Sequence, residues 1–254
     1  MMAWRGVAVT AGLLLLWQIL VWSTDLPPYI LPGPIAVASR VAADWRLILY
    51  PHATLTMAEI VIGLVLGALL GAAAALAMAY VGGLRRWLLP VLVISQAVPV
   101  FALAPLLVLW LGYGITSKIA MAVIVIFFPV TAAFFDGLRR TDPGWLDLAR
   151  TMGGTRWTIL RDIRLPNALP ALASGLRVSV AVAPIGAIIG EWVGSSAGLG
   201  FLMLHANARV QTDLMFGALF TLGLFAVGLY FATDAILKRV LPWQPDTDPS
   251  QKGK

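Results

Sequence analysis

The stretch MAEIVIGLVLGALLGAAAALAMAY, residues 57–80, decides the class of fold. Its 24 residues include one charged side chain, Glu59. As an α-helix the stretch is about 36 Å long, whereas the hydrocarbon core of a bilayer is about 30 Å thick. This length and composition predict a transmembrane helix. Gly63, Gly67 and Gly71 recur every four residues on one face of it, where another helix backbone can approach closely.

Five further segments are apolar enough to cross a membrane, which gives six predicted spans. The spans lie at about 6–23, 57–80, 88–111, 119–136, 168–190 and 214–237. The 254-residue chain is 60% hydrophobic and 12% charged, whereas a soluble domain is about 25% charged. So little polar surface cannot cover a water-facing globule. We therefore expect an all-α polytopic membrane protein with a single transmembrane domain over residues 1–238.

The first predicted span also has the positive start and apolar core of a signal peptide. Residues 22–25, Trp-Ser-Thr-Asp, offer no small-residue cleavage site after it. We therefore interpret residues 6–23 as an uncleaved span. The connection 24–56 follows it, and its helical spacing of Ile35, Ala38 and Val41 predicts a short interfacial helix.

The placement of lysine and arginine predicts the orientation. With the N-terminus in the cytoplasm, thirteen of these residues fall in inside segments and four in outside segments, while Arg177 lies within the fifth span. Cytoplasmic loops carry such an excess, which also accounts for the net charge of +6 without nucleic-acid binding. We expect both termini and the 137–167 loop to be cytoplasmic. Residues 239–254 are polar and proline-rich, and we expect a disordered tail there.

Groups that could line a pathway are few. The third span contains Gln96, Pro99 and Phe101, and a proline that frees backbone groups within lipid needs a cavity or protein beside it. Glu191 and Trp192 close the fifth span, and an ionisable residue at such a place is a candidate gate or packing anchor. We take these five residues as candidates for the substrate pathway or gate.

No catalytic, cofactor-binding or metal site is predicted. Residues 194–198 match the G-x-S-x-G pattern of serine hydrolases, but that motif requires a strand-to-helix turn, and we interpret the segment as a flexible outer loop. The two histidines, His52 and His205, are too few for a histidine-rich metal site and are expected to be solvated or interfacial. The chain has no cysteine and no phosphate-binding loop of the G-x-x-x-x-G-K-[ST] type.

The 137–167 loop predicts two short amphipathic helices with a tight corner. Asp142 and Pro143 suit the start of the first helix, and Gly153 suits its end. Trp145, Leu148, Ala149 and Met152 share one apolar face of that helix. Thr155 suits the start of the second helix, and Leu165-Pro166 is expected to end it.

The spacing in this loop resembles the motif of ATP-binding-cassette (ABC) importer permeases, in which EAA, three residues, G, nine residues and I-x-LP follow one another. Asp147-Leu148-Ala149 stands at EAA, Gly153 at the glycine, and Ile163 to Pro166 at the end. Asp147 keeps the carboxylate of the first position, whereas Leu148 is larger than the usual alanine. LPGP at residues 31–34 and GEWVGSSAGLGFLM at 190–203 resemble the nitrate, sulfonate and taurine branch. Within that branch, SQAVPVFALAPLLVLWLGYG at 95–114 and NARVQTDLMF at 207–216 resemble the permeases for hydroxymethylpyrimidine-type precursors of thiamine.

The resemblance implies the type I ABC importer permease fold and a set of partners. The partners would be a second copy of the permease, two cytoplasmic ATPase subunits carrying ATP and Mg²⁺, and an external binding protein, all at a bacterial inner membrane. The ATPase-coupling residues that it implies are Asp147, Leu148, Ala149, Met152, Gly153, Ile163, Leu165 and Pro166. The chain itself would be no enzyme and would move a small solute inward by alternating access.

Other functions remain open from the sequence. The substrate could be nitrate, a sulfonate or taurine rather than a thiamine precursor. A secondary transporter or channel is a second class, but it would need charges deep within the spans for ion coupling, and such charges are sparse.

Overall fold

The computed structural model describes residues 2–243, and every regular element within them is helical, as the sequence predicts. The α-helices are α1 (Met2–Thr24), α2 (Pro34–Ala43), α3 (Trp45–Leu47), α4 (Thr54–Tyr80), α5 (Gly82–Ser95), α6 (Val100–Leu111), α7 (Ile115–Arg139), α8 (Pro143–Thr151), α9 (Arg156–Ile159), α10 (Leu165–Gly194), α11 (Leu199–Ala208) and α12 (Thr212–Val240). Wider π-helical turns over Ile48–Ala53 and Leu160–Arg164 join α3 to α4 and α9 to α10. Residues 244–254, most of the predicted disordered tail, lie outside the described residues.

Four helical segments are long and apolar enough to cross a membrane. They are Trp45–Tyr80, Ile115–Arg139, Arg156–Gly194 and Thr212–Val240. A fifth crossing results if α5 and α6 form one broken span. The predicted first span falls on α1, whose apolar stretch Ala8–Thr24 is shorter than these.

The segment 88–111 differs from the single proline-kinked helix expected from the sequence. The structure divides it between α5 and α6, which are bent by 104° at the break. Pro99 immediately precedes α6, and a proline disfavours the α conformation of the residue before it, here Val98. The chain therefore leaves the helix between Ser95 and Val100, whereas Pro105 lies inside α6 without ending it.

The described chain divides into two compact units. The first comprises Met1–Ala58 and Glu191–Phe225, and the second comprises Glu59–Gly190 and Ala226–Lys254.

In the second unit, α7 packs against α4 through glycines. A Cβ placed on Gly63 would lie 2.5 Å from the Cβ of Ala122, and one on Gly67 would lie 2.8 Å from Cγ2 of Ile126. Because both residue numbers rise together, the two helices run parallel. The structure thus confirms that the four-residue glycine spacing marks a close helix contact. No side chain could replace these glycines without moving the helices apart.

α7 packs in the same way against α10, which runs antiparallel to it. A Cβ on Gly186 would lie 2.8 Å from Cα of Ala122, and one on Gly175 would lie 2.8 Å from Cβ of Ala133. Residues of α7 are accordingly among the most completely buried of the unit, and they include Met121, Ala122, Ile126, Val130 and Phe134. The core of the second unit therefore forms around α7.

Two charged residues are fully buried at the first turns of this core. The register that pairs Gly63 with Ala122 sets Glu59 level with Lys118 one turn earlier, and each side chain is 1% exposed. The Nζ of Lys118 donates a hydrogen bond to the backbone oxygen of Tyr113 at 2.7 Å. Lys118 is thus buried near the start of α7 at the level of a carboxylate, and an opposite charge nearby offsets part of the cost of burial.

A second ionic contact ties α10 to α12. The Nε of Arg177 lies 2.8 Å from Oδ1 of Asp234, and the Nζ of Lys238 lies 3.0 Å from Oδ2 of the same carboxylate. Arg177 and Asp234 are about four-fifths buried. This contact explains how Arg177 is accommodated within the fifth span, since a paired charge is far less costly there than a lone one.

In the first unit, α2 and α12 meet through a glycine as well. A Cβ on Gly217 would lie 2.8 Å from Cγ2 of Val41. The Nε of Arg40 lies 2.7 Å from Asp44 and 3.9 Å from Asp213. The helix predicted around Ile35 to Val41 is thus present.

We expect Gly67→Leu to destabilise the protein strongly, because the new side chain would overlap with α7 at Ile126 and push the two helices apart. Overpacking of this kind costs about 1–3 kcal/mol. The measurement is the midpoint of thermal unfolding of the purified protein in detergent. Gly228→Leu is the matched control, since no atom of residues 2–243 lies within 4 Å of a Cβ at Gly228. Equal midpoints for the two variants would contradict the close contact.

We expect Asp234→Asn to lower the same midpoint, because it leaves Arg177 without a carboxylate within the membrane region. The double variant Asp234→Asn, Arg177→Gln should recover part of the loss, since it removes the orphaned charge. A double variant whose loss equals the sum of the two single losses would show that the pair does not interact.

Candidate functional site

The first half of the 137–167 loop is a short helix with defined ends. The side chain of Asp142 accepts a hydrogen bond from the backbone N–H of Gly144 at 2.6 Å, and Pro143 occupies the first turn of α8. The backbone N–H of Gly154 donates to the oxygen of Ala149 at 2.8 Å and closes the far end of the helix. The predicted N-cap and first helix are confirmed.

The corner after α8 requires its two glycines for different reasons. Gly153 has a φ of +82°, in the left-handed region that favours glycine, although a Cβ there would meet nothing within 4 Å. Gly154 has an ordinary φ, but a Cβ there would lie 2.7 Å from the oxygen of Ala149. The first glycine is needed for its backbone conformation and the second for space.

The second half of the loop does not end where the sequence suggested. The hydroxyl of Thr155 accepts a hydrogen bond from the N–H of Thr158 at 3.2 Å and caps α9, as predicted. The expectation that Leu165-Pro166 ends this helix is wrong, because the chain passes through the π-helical turn directly into α10. Proline is tolerated at this point because it lies in the first turn after the hydrogen-bond pattern changes.

An apolar stripe is exposed along α8. Trp145, Leu148 and Met152 are 58%, 60% and 79% exposed, while Ala149 is half-buried beneath them. Asp147 is exposed beside the stripe, and its carboxylate lies 2.7 Å from Nη1 of Arg150. Because an exposed apolar stripe on a rigid corner favours contact with another molecule, this face suits the docking of a partner.

The residues at the end of the motif lie beside the start of α8. Ile163 and Pro166 line a cavity of about 380 Å³ together with Trp145 of α8. Ile163 and Leu165 are half-buried. The structure thus brings Ile163 and Pro166 from the second half of the predicted coupling set to the same cavity as Trp145 of α8.

The pathway candidates of the third span lie at its break. Gln96 and Pro99 are exposed in the turn between α5 and α6, and Phe101, in the first turn of α6, is 65% exposed. The side-chain nitrogen of Gln96 lies 3.5 Å from the hydroxyl of Ser95. The side-chain amide of Gln96 is therefore exposed rather than buried among the described residues.

Glu191 belongs to the first unit and is 1% exposed there. Its Oε1 accepts a hydrogen bond from the hydroxyl of Thr56 at 2.5 Å, and its Oε2 accepts one from the backbone N–H of Gly200 at 2.5 Å. The carboxylate lies at the start of α11, where a negative charge is favoured by the helix dipole. Glu191 therefore holds the segment between α10 and α11 in place.

The same cluster includes residues that sequence reasoning missed. The hydroxyl of Thr56 also accepts from the N–H of Leu199 at 2.8 Å, and Nδ1 of His52 accepts from the N–H of Gly198 at 3.1 Å. His52 is 7% exposed, so the expectation that it is solvated or interfacial is wrong. The sequence contains no spacing that links His52 or Thr56 to Gly198, which has a φ of +112° and lies against the Glu191 carboxyl group.

The remaining candidate, Trp192, is exposed, whereas the adjacent Glu191 is buried. It is 52% exposed and lines a cavity of about 300 Å³. The cavity is otherwise lined by Met203, Leu204, Asn207, Met215 and Leu219.

The G-x-S-x-G segment forms a turn rather than a nucleophile elbow. The Ser195 hydroxyl donates to the backbone oxygen of Ala197 at 2.5 Å, and Ser196 is exposed. Gly198 begins α11 without any preceding strand.

Comparison with known proteins shows what the chain is similar to. Residues 63–244 match the model of the family described as binding-protein-dependent transport system inner membrane component. A "Probable ABC transporter permease protein" of Haemophilus influenzae is 53% identical over 93% of this chain and 96% of its own length. The formylaminopyrimidine transport permease protein ThiX of Halalkalibacterium halodurans is 37% identical over 85% of this chain and 87% of its own.

A solved structure shows the same fold at low identity. The MetNI methionine ABC transporter in inward-facing conformations matches with a TM-score of 0.66 and 20% identity, covering 76% of this chain and 96% of its own. The helical architecture is therefore that of type I ABC transporter permeases. The ATPase of such an importer is a separate subunit, and the permease is not an enzyme. The chain belongs to the family of binding-protein-dependent transport system inner membrane components, as a multi-pass permease subunit of an ABC importer.

Proposed function

We propose that transport by this permease is driven by a cytoplasmic ATPase that binds the exposed apolar stripe of α8. The observation that carries the proposal is the exposure of Trp145, Leu148 and Met152 on a helix whose two ends are fixed by a cap and a glycine corner. Asp147 and Ala149 lie on the same helix and complete the docking face. ATP and Mg²⁺ bind to the ATPase rather than to this chain.

The continuous helix from the loop into α10 can transmit a movement of the ATPase to a membrane-crossing helix. α9, the π-helical turn and α10 form one helical segment from Arg156 to Gly194. Displacement of the corner at Gly153 therefore acts directly on a membrane-crossing helix. Ile163, Leu165 and Pro166 lie at the junction and transmit the movement, since packed elements shift as rigid bodies.

The complete transporter contains two copies of this permease, two ATPase subunits and an external binding protein. The family description names the binding protein as a component of such systems. Both termini and the 137–167 loop face the cytoplasm of a bacterium, in agreement with the excess of lysine and arginine in those segments. In the second unit, the exposed residues Gln96, Pro99 and Phe101 are proposed to border the pathway for the solute. In the first unit, the exposed Trp192 is proposed as a gate residue and Glu191 as a packing anchor.

The substrate that we propose is a pyrimidine precursor of thiamine, of the hydroxymethylpyrimidine type. The support is the 37% identity to a permease named for formylaminopyrimidine. The relatives also include permeases named for taurine and for aliphatic sulfonates, so a sulfonate, taurine or nitrate is the alternative within the same family.

We expect Gly153→Leu to reduce ATP-driven uptake at least tenfold while the protein still reaches the membrane. A leucine at a φ of +82° costs on the order of 1–2 kcal/mol, so the corner would rearrange rather than the whole fold. Uptake of labelled substrate and ATPase co-purification are measured together. Gly83→Leu is the matched control, because a Cβ there meets nothing within 4 Å and its φ is ordinary. Full uptake by Gly153→Leu would contradict the role of the corner.

We expect the partner binding protein to be stabilised by a pyrimidine precursor of thiamine. The measurement is its thermal unfolding midpoint with hydroxymethylpyrimidine, taurine, an aliphatic sulfonate and nitrate in parallel, since a ligand at 100 times its Kd adds about 2.7 kcal/mol of stability. If only a sulfonate raises the unfolding midpoint, the proposed substrate is wrong, but the proposed coupling mechanism is unaffected.

A further inference from the structure

A cavity on the second unit is lined by three arginines. It has a volume of about 390 Å³ and lies between the last turn of α4 and the 137–167 loop. Arg150, Arg156 and Arg164 reach it from α8, from α9 and from the π-helical turn. The volume falls within the range of about 300–1,000 Å³ that is usual for ligand sites.

The charge of this cavity is largely uncompensated by the described residues. Arg150 is paired with Asp147. The Nε of Arg164 is buried, and no acceptor among residues 2–243 lies in hydrogen-bond geometry to it. Guanidinium groups in such an arrangement favour a phosphate or another oxyanion, to which they donate paired hydrogen bonds.

An apolar cavity adjoins the arginine-lined one. It has a volume of about 260 Å³ and is lined by Leu76, Ala77, Tyr80, Trp157, Leu160, Arg161 and Leu165. Tyr80 and Leu160 line both cavities, so the two cavities are adjacent. The rings of Tyr80 and Trp157 meet edge to face, with their centroids 6.1 Å apart.

We propose that this pair of cavities binds an anionic phospholipid, with its phosphate among Arg150, Arg156 and Arg164 and the start of an acyl chain against Leu76, Ala77 and Trp157. A water-soluble phosphate would fill only the first cavity, and a zwitterionic lipid would bring its own ammonium group, which already offsets the phosphate charge, among the arginines. Basic pockets between transmembrane helices on the cytoplasmic side suit such head groups. The cytoplasmic placement rests on the proposed function, whereas lipid binding itself can be measured without transport.

A bound lipid of this kind would bridge two parts of the chain. The apolar cavity belongs to the end of α4, and the arginines belong to the loop that carries the exposed stripe. The negatively charged lipid therefore stabilises the position of the loop relative to α4. The sequence offered no indication of this, because Arg150, Arg156 and Arg164 occur at unrelated spacings.

The test uses the full-length permease purified in detergent. Dioleoyl phosphatidylglycerol, dioleoyl phosphatidylcholine and glycerol 3-phosphate are titrated separately, with retained lipid counted by native mass spectrometry and stability followed by thermal unfolding. We expect phosphatidylglycerol to bind at least tenfold more tightly than either other compound. Equal binding of the two lipids, or equal binding of glycerol 3-phosphate and phosphatidylglycerol, would overturn the proposal.

Two variants locate the site. Arg156→Gln with Arg164→Gln should weaken phosphatidylglycerol binding at least tenfold, whereas the matched double variant Arg86→Gln with Arg140→Gln, at exposed positions outside both cavities, should not. Ala77→Phe fills the apolar cavity and leaves all three arginines, so it should weaken lipid binding in a protein whose charge is unchanged. Unaltered binding in Ala77→Phe, or equal losses in the two double variants, would contradict the assignment.

Discussion

The close approach of backbones along α7 is the constraint on which the second unit depends. Glycines of α4 and α10 bring both helices so near to α7 that Ala122 lies against Gly63 on one side and Gly186 on the other. In lipid the hydrophobic effect does not hold helices together, so dispersion between closely packed backbones carries the stability. The same closeness determines the register, which in turn sets Glu59 level with Lys118.

The sequence predicted the elements better than it predicted their junctions. Helical membrane class, the glycine face of the second span and the caps at Asp142 and Thr155 follow from local patterns, and the structure confirms them. The break before Pro99 and the continuation through Pro166 were missed, because proline can end a helix, start one or lie in its first turn. Which of these occurs depends on the hydrogen bonds around it and not on the residue alone.

The polar cluster at Glu191 shows the limit of sequence reasoning about sites. Glu191 is predicted only as an ionisable residue at the end of a span, whereas its partner Thr56 lies 135 positions away along the chain, and His52 lies 146 positions from its own partner, Gly198. A single sequence carries no information on such long-range pairs. In the 137–167 loop, by contrast, the candidate coupling residues lie within one local motif, and their arrangement was largely predictable.

The contact between Arg177 and Asp234 has a consequence for the energetics of the conformational cycle. A charge that crosses the whole membrane field exchanges about 2.3 kcal/mol per 100 mV with the membrane potential. Arg177 and Asp234 lie 2.8 Å apart, so their opposite charges cancel when the two residues move together, and the positive charge of Lys238, 3.0 Å from the same carboxylate, is left over. The voltage across the membrane therefore performs little work on the Arg177–Asp234 pair itself, however far the pair moves.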